Sequence, residues 1–231
     1  MLYIVIPYRD REQQLLAYLK QTVQIFKSTF KDFRIIIIEQ GNIKPFNKGL
    51  LLNVAVKHLE MQDDDEIIFQ DVSILPTRNV ILECYKPKIK SDCAVGIYSH
   101  ETSMGGVVKI NKRLFDSING FPTNYWGWGS ESNTLRERLN MAGATCIIKY
   151  SPNTNISNAS FIVPEEPASI SREKRLEGER NEALHKFFRQ CNRERKIYTI
   201  EKSGLTTTHF TPLRHLYLEG EPSIEFITVD I

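Results

Sequence analysis

The sequence predicts an α/β fold with a largely parallel sheet, and three observations predict it. Short β-branched runs at residues 2–6, 34–39 and 66–69 alternate with stretches of helical apolar spacing. The links between them are short, which favours right-handed crossovers between parallel neighbours. The 231 residues are 41% hydrophobic and 25% charged, which supplies a real core and excludes disorder, collagen and coiled coil.

Taken in order, residues 2–6 (LYIVI) form an apolar run stopped by Pro7, a buried strand ending at a loop. Leu15, Leu16, Leu19, Val23 and Phe26 then recur at helical spacing. Residues 34–39 (RIIIIE) are continuous and β-branched, the mark of a central strand covered on both faces. Leu51, Leu52, Ala55, Val56 and Leu59 set a second helix, Asp63–Asp65 a turn, and 66–69 (EIIF) a third strand. In such a layer a ligand sits at one edge of the sheet, beyond the carboxyl ends of the strands. Further on, 94–98 and 145–149 read as strands and 111–118 as a helix. Residues 131–142 read as a helix that starts after Ser130 and ends near Gly143. Residues 153–169 are polar, carry Pro164 and Pro167, and read as a mobile loop. Residues 171–196 form a charged helical stretch whose cations alternate with Glu173, Glu177, Glu179 and Glu182, a solvated ion-paired face rather than a nucleic-acid surface. Residues 224–230 (IEFITVD) make a final strand, and no repeat or linker divides the chain, so one domain is expected.

A net charge of +2 gives no reason to expect nucleic acid. No apolar run approaches the roughly 20 residues of a membrane span, and residues 1–11 carry no signal-peptide pattern. Cys84, Cys93, Cys146 and Cys191 are too scattered for a zinc site or a disulfide scaffold, so buried thiols in a reducing compartment are expected.

Three segments are harder to explain by packing. Pro7-Tyr8-Arg9-Asp10-Arg11 follows the first strand, where two guanidinium forks can grip a diphosphate or simply form a solvated loop. Asp71, after the third strand, can hold a ribose hydroxyl or a divalent ion, or make an Asx turn. Residues 121–131 (FPTNYWGWGSE) hold both tryptophans of the chain among glycines, ahead of Glu131. An indole with a nearby carboxylate suits a sugar, while two tryptophans can equally plug a core.

The order of these motifs resembles the β-1,4-galactosyltransferase family. The resemblance runs through Pro7-Tyr8-Arg9-Asp10-Arg11, Phe46-Asn47-Lys48-Gly49-Leu50-Leu51-Leu52-Asn53-Val54, Asp71-Val72-Ser73, Met104-Gly105-Gly106-Val107, the very specific 118–129 (INGFPTNYWGWG) and the terminal 227–231 (ITVDI). It implies a Rossmann-like GT-A fold over 1–231, with a nucleotide-binding half (1–80) and an acceptor-binding half (81–231) that carries a mobile loop at 153–170. It also implies inverting transfer of a galactose- or N-acetylhexosamine-type sugar from a UDP-sugar to a glycan acceptor. Carried over residue by residue, Pro7, Arg9, Arg11, Phe46, Asp71 and Val72 match the nucleotide site. Gly106, Tyr125, Trp128, Gly129 and Glu131 match the sugar and acceptor wall.

The departures carry as much information. The family's Asp-Val-Asp reads Asp71-Val72-Ser73 here, and the family's methionine and histidine ligands have no counterpart between residues 145 and 172. Mn²⁺ wants several oxygen or imidazole ligands, so no metal site and no cofactor beyond the UDP-sugar is expected. The family's Gly-Gly-Glu-Asp-Asp-Asp reads 129–134 (GSESNT), so Ser132 replaces the proposed base and Glu131 is left as the catalytic carboxylate. Losing a base costs about 10²–10⁴-fold in rate. In a metal-independent transferase, Arg9, Arg11, Lys48 or an arginine of 172–180 would stabilise the departing UDP. The alternative is a catalytically impaired sugar- or nucleotide-binding pseudoenzyme that supports another transferase. A protein partner or homo-oligomer is compatible with either. With neither leader nor anchor, a cytoplasmic or viral chain is expected.

Overall fold

The apolar runs become neighbours in the middle of one eight-stranded sheet. The computed structural model describes residues 1–150, 161–162, 171–194 and 202–231. Its elements are β1 (Leu2–Tyr8), α1 (Glu12–Thr29), β2 (Phe33–Gln40), α2 (Lys48–His58), β3 (Glu66–Gln70), β4 (Leu75–Pro76) and α3 (Arg78–Val80), which runs on as a π turn to Tyr85. There follow β5 (Cys93–His100), β6 (Ser103–Asn111), α4 (Lys112–Ser117), α5 (Glu131–Met141), β7 (Thr145–Tyr150), β8 (Phe161–Ile162), α6 (Arg172–Arg193), a 3-10 turn (Leu205–Thr207), β9 (Thr211–Leu218) and β10 (Glu221–Asp230).

The strand order is β7-β5-β6-β3-β1-β2-β10-β9. β3, β1, β2 and β10 run parallel, with Ile4 opposite Ile35 on one side and Ile68 on the other. Ile4–Ile6 and Ile35–Ile38 are fully buried because helices cover both faces. On one face the core joins Leu51, Leu52 and Val56 of α2 to Phe115 of α4 and Leu135 and Leu139 of α5. On the other it joins Leu15, Tyr18 and Phe26 of α1 to Val80, Ile81 and Tyr85.

The sheet is less parallel than expected, since β6 pairs antiparallel with both β3 and β5, and β9 pairs antiparallel with β10. The sequence reading did not foresee β6, β9 or the two-residue pair β4–β8. Gly105 and Gly106 break the pattern of β6, and β9 is an edge strand exposed along its whole length, so it has no buried face to show in its sequence. The second helix starts at Lys48, earlier than its apolar spacing indicates, because the Asn47 side chain caps it by accepting from the Leu50 amide at 2.9 Å. The loop expected at 153–170 lies outside the described residues except for Phe161 and Ile162, as do residues 195 and 196 of the last predicted helix.

None of the four cysteines, all of them described residues, forms a disulfide, and Cys84, Cys93 and Cys191 are buried. Burial raises the thiol pKa of Cys93 and Cys146. No described helix is long and apolar enough to cross a membrane. Because β1, β2 and β3 are parallel, their carboxyl ends at Tyr8, Gln40 and Gln70 open onto the same edge of the sheet.

Candidate active site

At that edge the three strand ends build one wall. Pro7 does not stop β1 as expected: it is buried inside the strand, opposite Ile38, and β1 runs on to Tyr8 before the chain leaves through Asp10, whose φ of 52° marks a sharp exit. The Arg9 guanidinium donates to the Lys44 carbonyl at 2.6 Å and lies 5.4 Å from the centroid of the Phe46 ring. Arg11 is exposed, and its carbonyl begins α1 by accepting from Leu15 at 2.9 Å. Beyond β3, the Asp71 amide donates to the Gly106 carbonyl at 2.8 Å. A Cβ on Gly106 would come within 2.3 Å of the tip of the Ile74 side chain, so a larger residue requires Ile74 to shift. Gln70 fixes the turn from behind by donating to the Asp71 and Ile74 carbonyls, both at 2.7 Å. Val72 points into the core.

Asp71 is already engaged. Its Oδ1 accepts from the Ser73 amide at 3.0 Å and from the Ser73 hydroxyl at 2.8 Å, which makes the Asx turn that the sequence left open. The hydroxyl that replaces the expected carboxylate is thus turned onto Asp71. Among the described residues no group of three or more His, Cys, Asp and Glu side chains is arranged to hold an ion. Among the described residues, one carboxylate already bonded to Ser73 is a donor set that does not fit Mn²⁺.

The tryptophan loop forms the second wall. α2 holds its approach from below: Asn47 donates to the Thr123 carbonyl at 2.9 Å, while Asn53 donates to the Phe121 carbonyl at 2.8 Å and accepts from the Phe121 amide at 2.9 Å. Arg138 of α5 is buried and donates to the Asn119 and Gly120 carbonyls at 2.9 Å and to that of Ser203. Burial lowers its pKa to about 10. The Gly127 amide donates to the Phe46 carbonyl at 2.7 Å, which joins the two walls. Gly127 has φ 76°, and a Cβ there would lie 2.1 Å from the Glu177 carboxyl carbon.

The two walls face each other across Lys48 and Glu131. Lys48 Nζ lies 3.3 Å from Glu131 Oε1, and both side chains are mostly buried. Burial opposes the lysine charge, yet the Glu131 and Asp71 carboxylates outweigh it and raise the Lys48 pKa. Ser132 is buried, with its hydroxyl 3.1 Å from the Gly105 carbonyl and 3.2 Å from Glu131 Oε1. Tyr125 is also buried. Its hydroxyl sits 2.7 Å from Thr134 Oγ1, which lies 3.0 Å from His185 Nδ1 of α6. Burial raises the Tyr125 pKa and lowers that of His185.

Known proteins carry the same pattern. A model of the N-terminal region of glycosyl transferase group 7 matches residues 1–85, and one of the N-terminal domain of galactosyltransferase matches residues 87–159. The β-1,4-galactosyltransferase 1 of Bos taurus is 33% identical over 146 residues, 61% of this chain and 36% of its own length. The chain belongs to the β-1,4-galactosyltransferase family. The β-1,4-galactosyltransferase 6 of Homo sapiens is likewise 33% identical over 147 residues, 61% of this chain and 38% of its own. The chain thus spans little more than a third of the length of these relatives. Its fold is the GT-A fold: the catalytic domain of Drosophila β-1,4-galactosyltransferase 7, solved with xylobiose, superposes with a TM-score of 0.72 at 18% identity, covering 100% of this chain and 93% of that one. A variant of that enzyme, solved with manganese, UDP-Gal and xylobiose, gives 0.73 at the same identity and coverage.

In this galactosyltransferase-family chain, Arg9, Phe46, Asp71 and Gly106 come together on the strand-end wall, and Trp128, Gly129 and Glu131 on the loop wall. Tyr125 and Val72 sit behind these walls, with their side chains in the interior. Sequence reasoning missed the part played by α6, where Glu177, Gly178 and Asn181 receive the tryptophan loop. Arg180, one of the arginines of 172–180, donates to the Trp126 carbonyl. A signal was present: Gly178 interrupts an otherwise strong helical pattern, and a glycine there points to close packing.

Proposed function

We propose that the protein transfers a galactose- or N-acetylhexosamine-type sugar from a UDP-sugar to an acceptor hydroxyl, with inversion and without Mn²⁺. The observation that carries the reading is the Lys48–Glu131 pair at 3.3 Å, between the strand-end wall that bears Arg9 and Asp71 and the loop wall that bears Trp128. On this reading residues 1–80 hold the nucleotide, with Phe46 beside the uracil, Asp71 on the ribose and Arg9 and Arg11 toward the diphosphate. Trp128, Gly129 and Gly106 border the transferred sugar and the acceptor. The acceptor oxygen forms a bond to the anomeric carbon from the face opposite UDP, and the bond from that carbon to the β-phosphate oxygen breaks. The acceptor proton passes to the Glu131 carboxylate, and UDP leaves with the bonding electrons. Cations at Arg9 and Arg11 take over the neutralisation of the leaving group, while Lys48 stays paired with Glu131 on the acceptor side. The reading draws on relatives named as galactosyltransferases and on a fold neighbour solved with manganese, UDP-Gal and xylobiose.

A second reading, a sugar- or nucleotide-binding pseudoenzyme that supports another transferase, is favoured by one observation. Ser132 occupies the place of the family's base and is buried, where no hydroxyl can act as a base at neutral pH. Incubation with a panel of UDP-sugars and acceptor saccharides, read by mass spectrometry, separates the two. A glycosylated product supports transfer. UDP binding with no product under any condition supports the pseudoenzyme, and no UDP binding contradicts both.

A further inference from the structure

We infer that α6 is the element that positions the Trp128 wall, and that Asn181 is its positioning residue. The inference rests on the reading of Trp128 as a sugar-facing side chain, and its test separates the two.

Asn181 is fully buried in the middle of a charged helix, where a polar side chain needs a reason. Its amide nitrogen donates to two loop carbonyls, Trp126 at 3.2 Å and Trp128 at 2.9 Å, while its Oδ1 is buried without a partner among the described residues. The side chain is held there by what it donates, at the cost of an unsatisfied acceptor. Its neighbours on the same helical face complete the seat. Glu177 accepts from the Trp128 amide at 3.0 Å, and Arg180 donates to the Trp126 carbonyl. Gly178 lies under the indole, where a Cβ would stand 3.1 and 3.2 Å from two of its ring carbons. Positions 177, 178, 180 and 181 fall on one stripe of the helix, so a single surface receives the loop.

The loop depends on this surface. The Trp126 carbonyl and both backbone groups of Trp128 are satisfied by α6 side chains, and Gly127 is tied to Phe46. Trp128 itself is 52% exposed, so burial of its indole does not fix it. α6 is in turn seated on α5 through His185 against Thr134 and through Arg189, 3.2 Å from Glu137. Side-chain position at the sugar wall is therefore transmitted from α5 through α6 to the loop, and an error of about an ångström there is enough to harm a reacting geometry.

Both tryptophans of the chain lie in this loop, so intrinsic tryptophan emission reports on it alone. The test titrates the full chain with UDP, and then with N-acetylglucosamine or xylobiose at saturating UDP, in wild type, Asn181→Asp and Gly178→Ala. Asn181→Asp keeps shape and loses both donors. It is expected to shift the emission to the red, weaken saccharide binding at least about tenfold, and leave the UDP Kd within about twofold. Gly178→Ala adds one methyl group under the indole while raising helix propensity. It is expected to hold or raise the unfolding midpoint and still weaken saccharide binding, a split that a purely structural role does not produce. If Asn181→Asp fails to fold, Gly178→Ala decides. Saccharide binding at wild-type strength in the folded variants overturns this inference alone. A wild type that responds to neither UDP nor saccharide overturns the proposed function and this inference with it.

Discussion

The strand-end wall (residues 7–11 and 71–73) hangs from the buried parallel strands, whereas the tryptophan wall (121–131) hangs from polar side chains of distant segments. On the first wall, Arg9 and Asp71 follow directly from β1 and β3, whose register is set by continuous apolar runs. On the second, Asn47, Asn53, Arg138 and Asn181 hold backbone groups one by one. The difference teaches that the two walls fail in different ways. On the proposed function, a change of an exposed side chain on the first is expected to alter ligand contacts and leave the fold intact. A change on the second moves the wall itself.

The sharpest break is Gly127→Ala. A side chain at positive φ costs about 1–3 kcal/mol, and this one meets Glu177. Denaturant unfolding is expected to show a loss of that size, with red-shifted tryptophan emission. Arg9→Ala is the matched change on the other wall. Loss of a guanidinium contact to phosphate is expected to weaken UDP binding about tenfold by calorimetry, with stability within about 0.5 kcal/mol of wild type. Equal destabilisation by the two changes would erase the contrast between the walls.

A smaller effect is expected from pH. Burial lowers the His185 pKa below its unfolded value, so the unfolded chain binds more protons as the medium turns acid. The contribution is intact above the unfolded value near 6.5 and is lost as pH falls through the folded pKa. Wild type is therefore expected to lose more stability between pH 7.5 and 5.5 than His185→Gln, measured by urea unfolding. His58 is shifted the same way by burial and by His215, and remains in both proteins, so the difference isolates His185. Identical pH profiles would detach His185 from the α5–α6 seat. The smallest effect is expected at Ser130, which begins α5 at φ 71° with no capping hydrogen bond from its side chain. Ser130→Gly relieves that strain and is expected to stabilise by up to about 1 kcal/mol, seen as a raised midpoint. A lowered midpoint would show that the Ser130 side chain serves the loop.

Legibility in the sequence divides along the same line. The strand-end wall is legible because β1, β2 and β3 are short apolar runs that give way to polar residues within a residue or two of their observed ends, and period and punctuation suffice there. The motif at 46–54 was legible as a resemblance, but the work of Asn47 and Asn53 was not, since a side chain that holds a loop about 70 residues away has no local signature. The seat on α6 was read as a solvated face because its charges alternate. That holds for Glu182 with Lys186, 2.8 Å apart, and not for Glu177 or Arg180. β9 was missed because an exposed edge strand lacks the alternation that marks a buried face. The replacement of acids by Ser73 and Ser132 could be read directly, and their hydrogen bonds to Asp71 and Gly105 say what the hydroxyls do instead.

On the proposed function, this divergent member of the family moves sugar with cations of its own in place of Mn²⁺. The most direct measurement is the initial rate of sugar transfer from UDP-galactose or UDP-N-acetylgalactosamine in excess EDTA, repeated with Mn²⁺ added back in excess. Transfer is expected in EDTA at a rate that Mn²⁺ changes by less than about twofold, since the ion is worth several kcal/mol only where ligands hold it. Transfer that is absent in EDTA and restored by Mn²⁺ would contradict the proposed function.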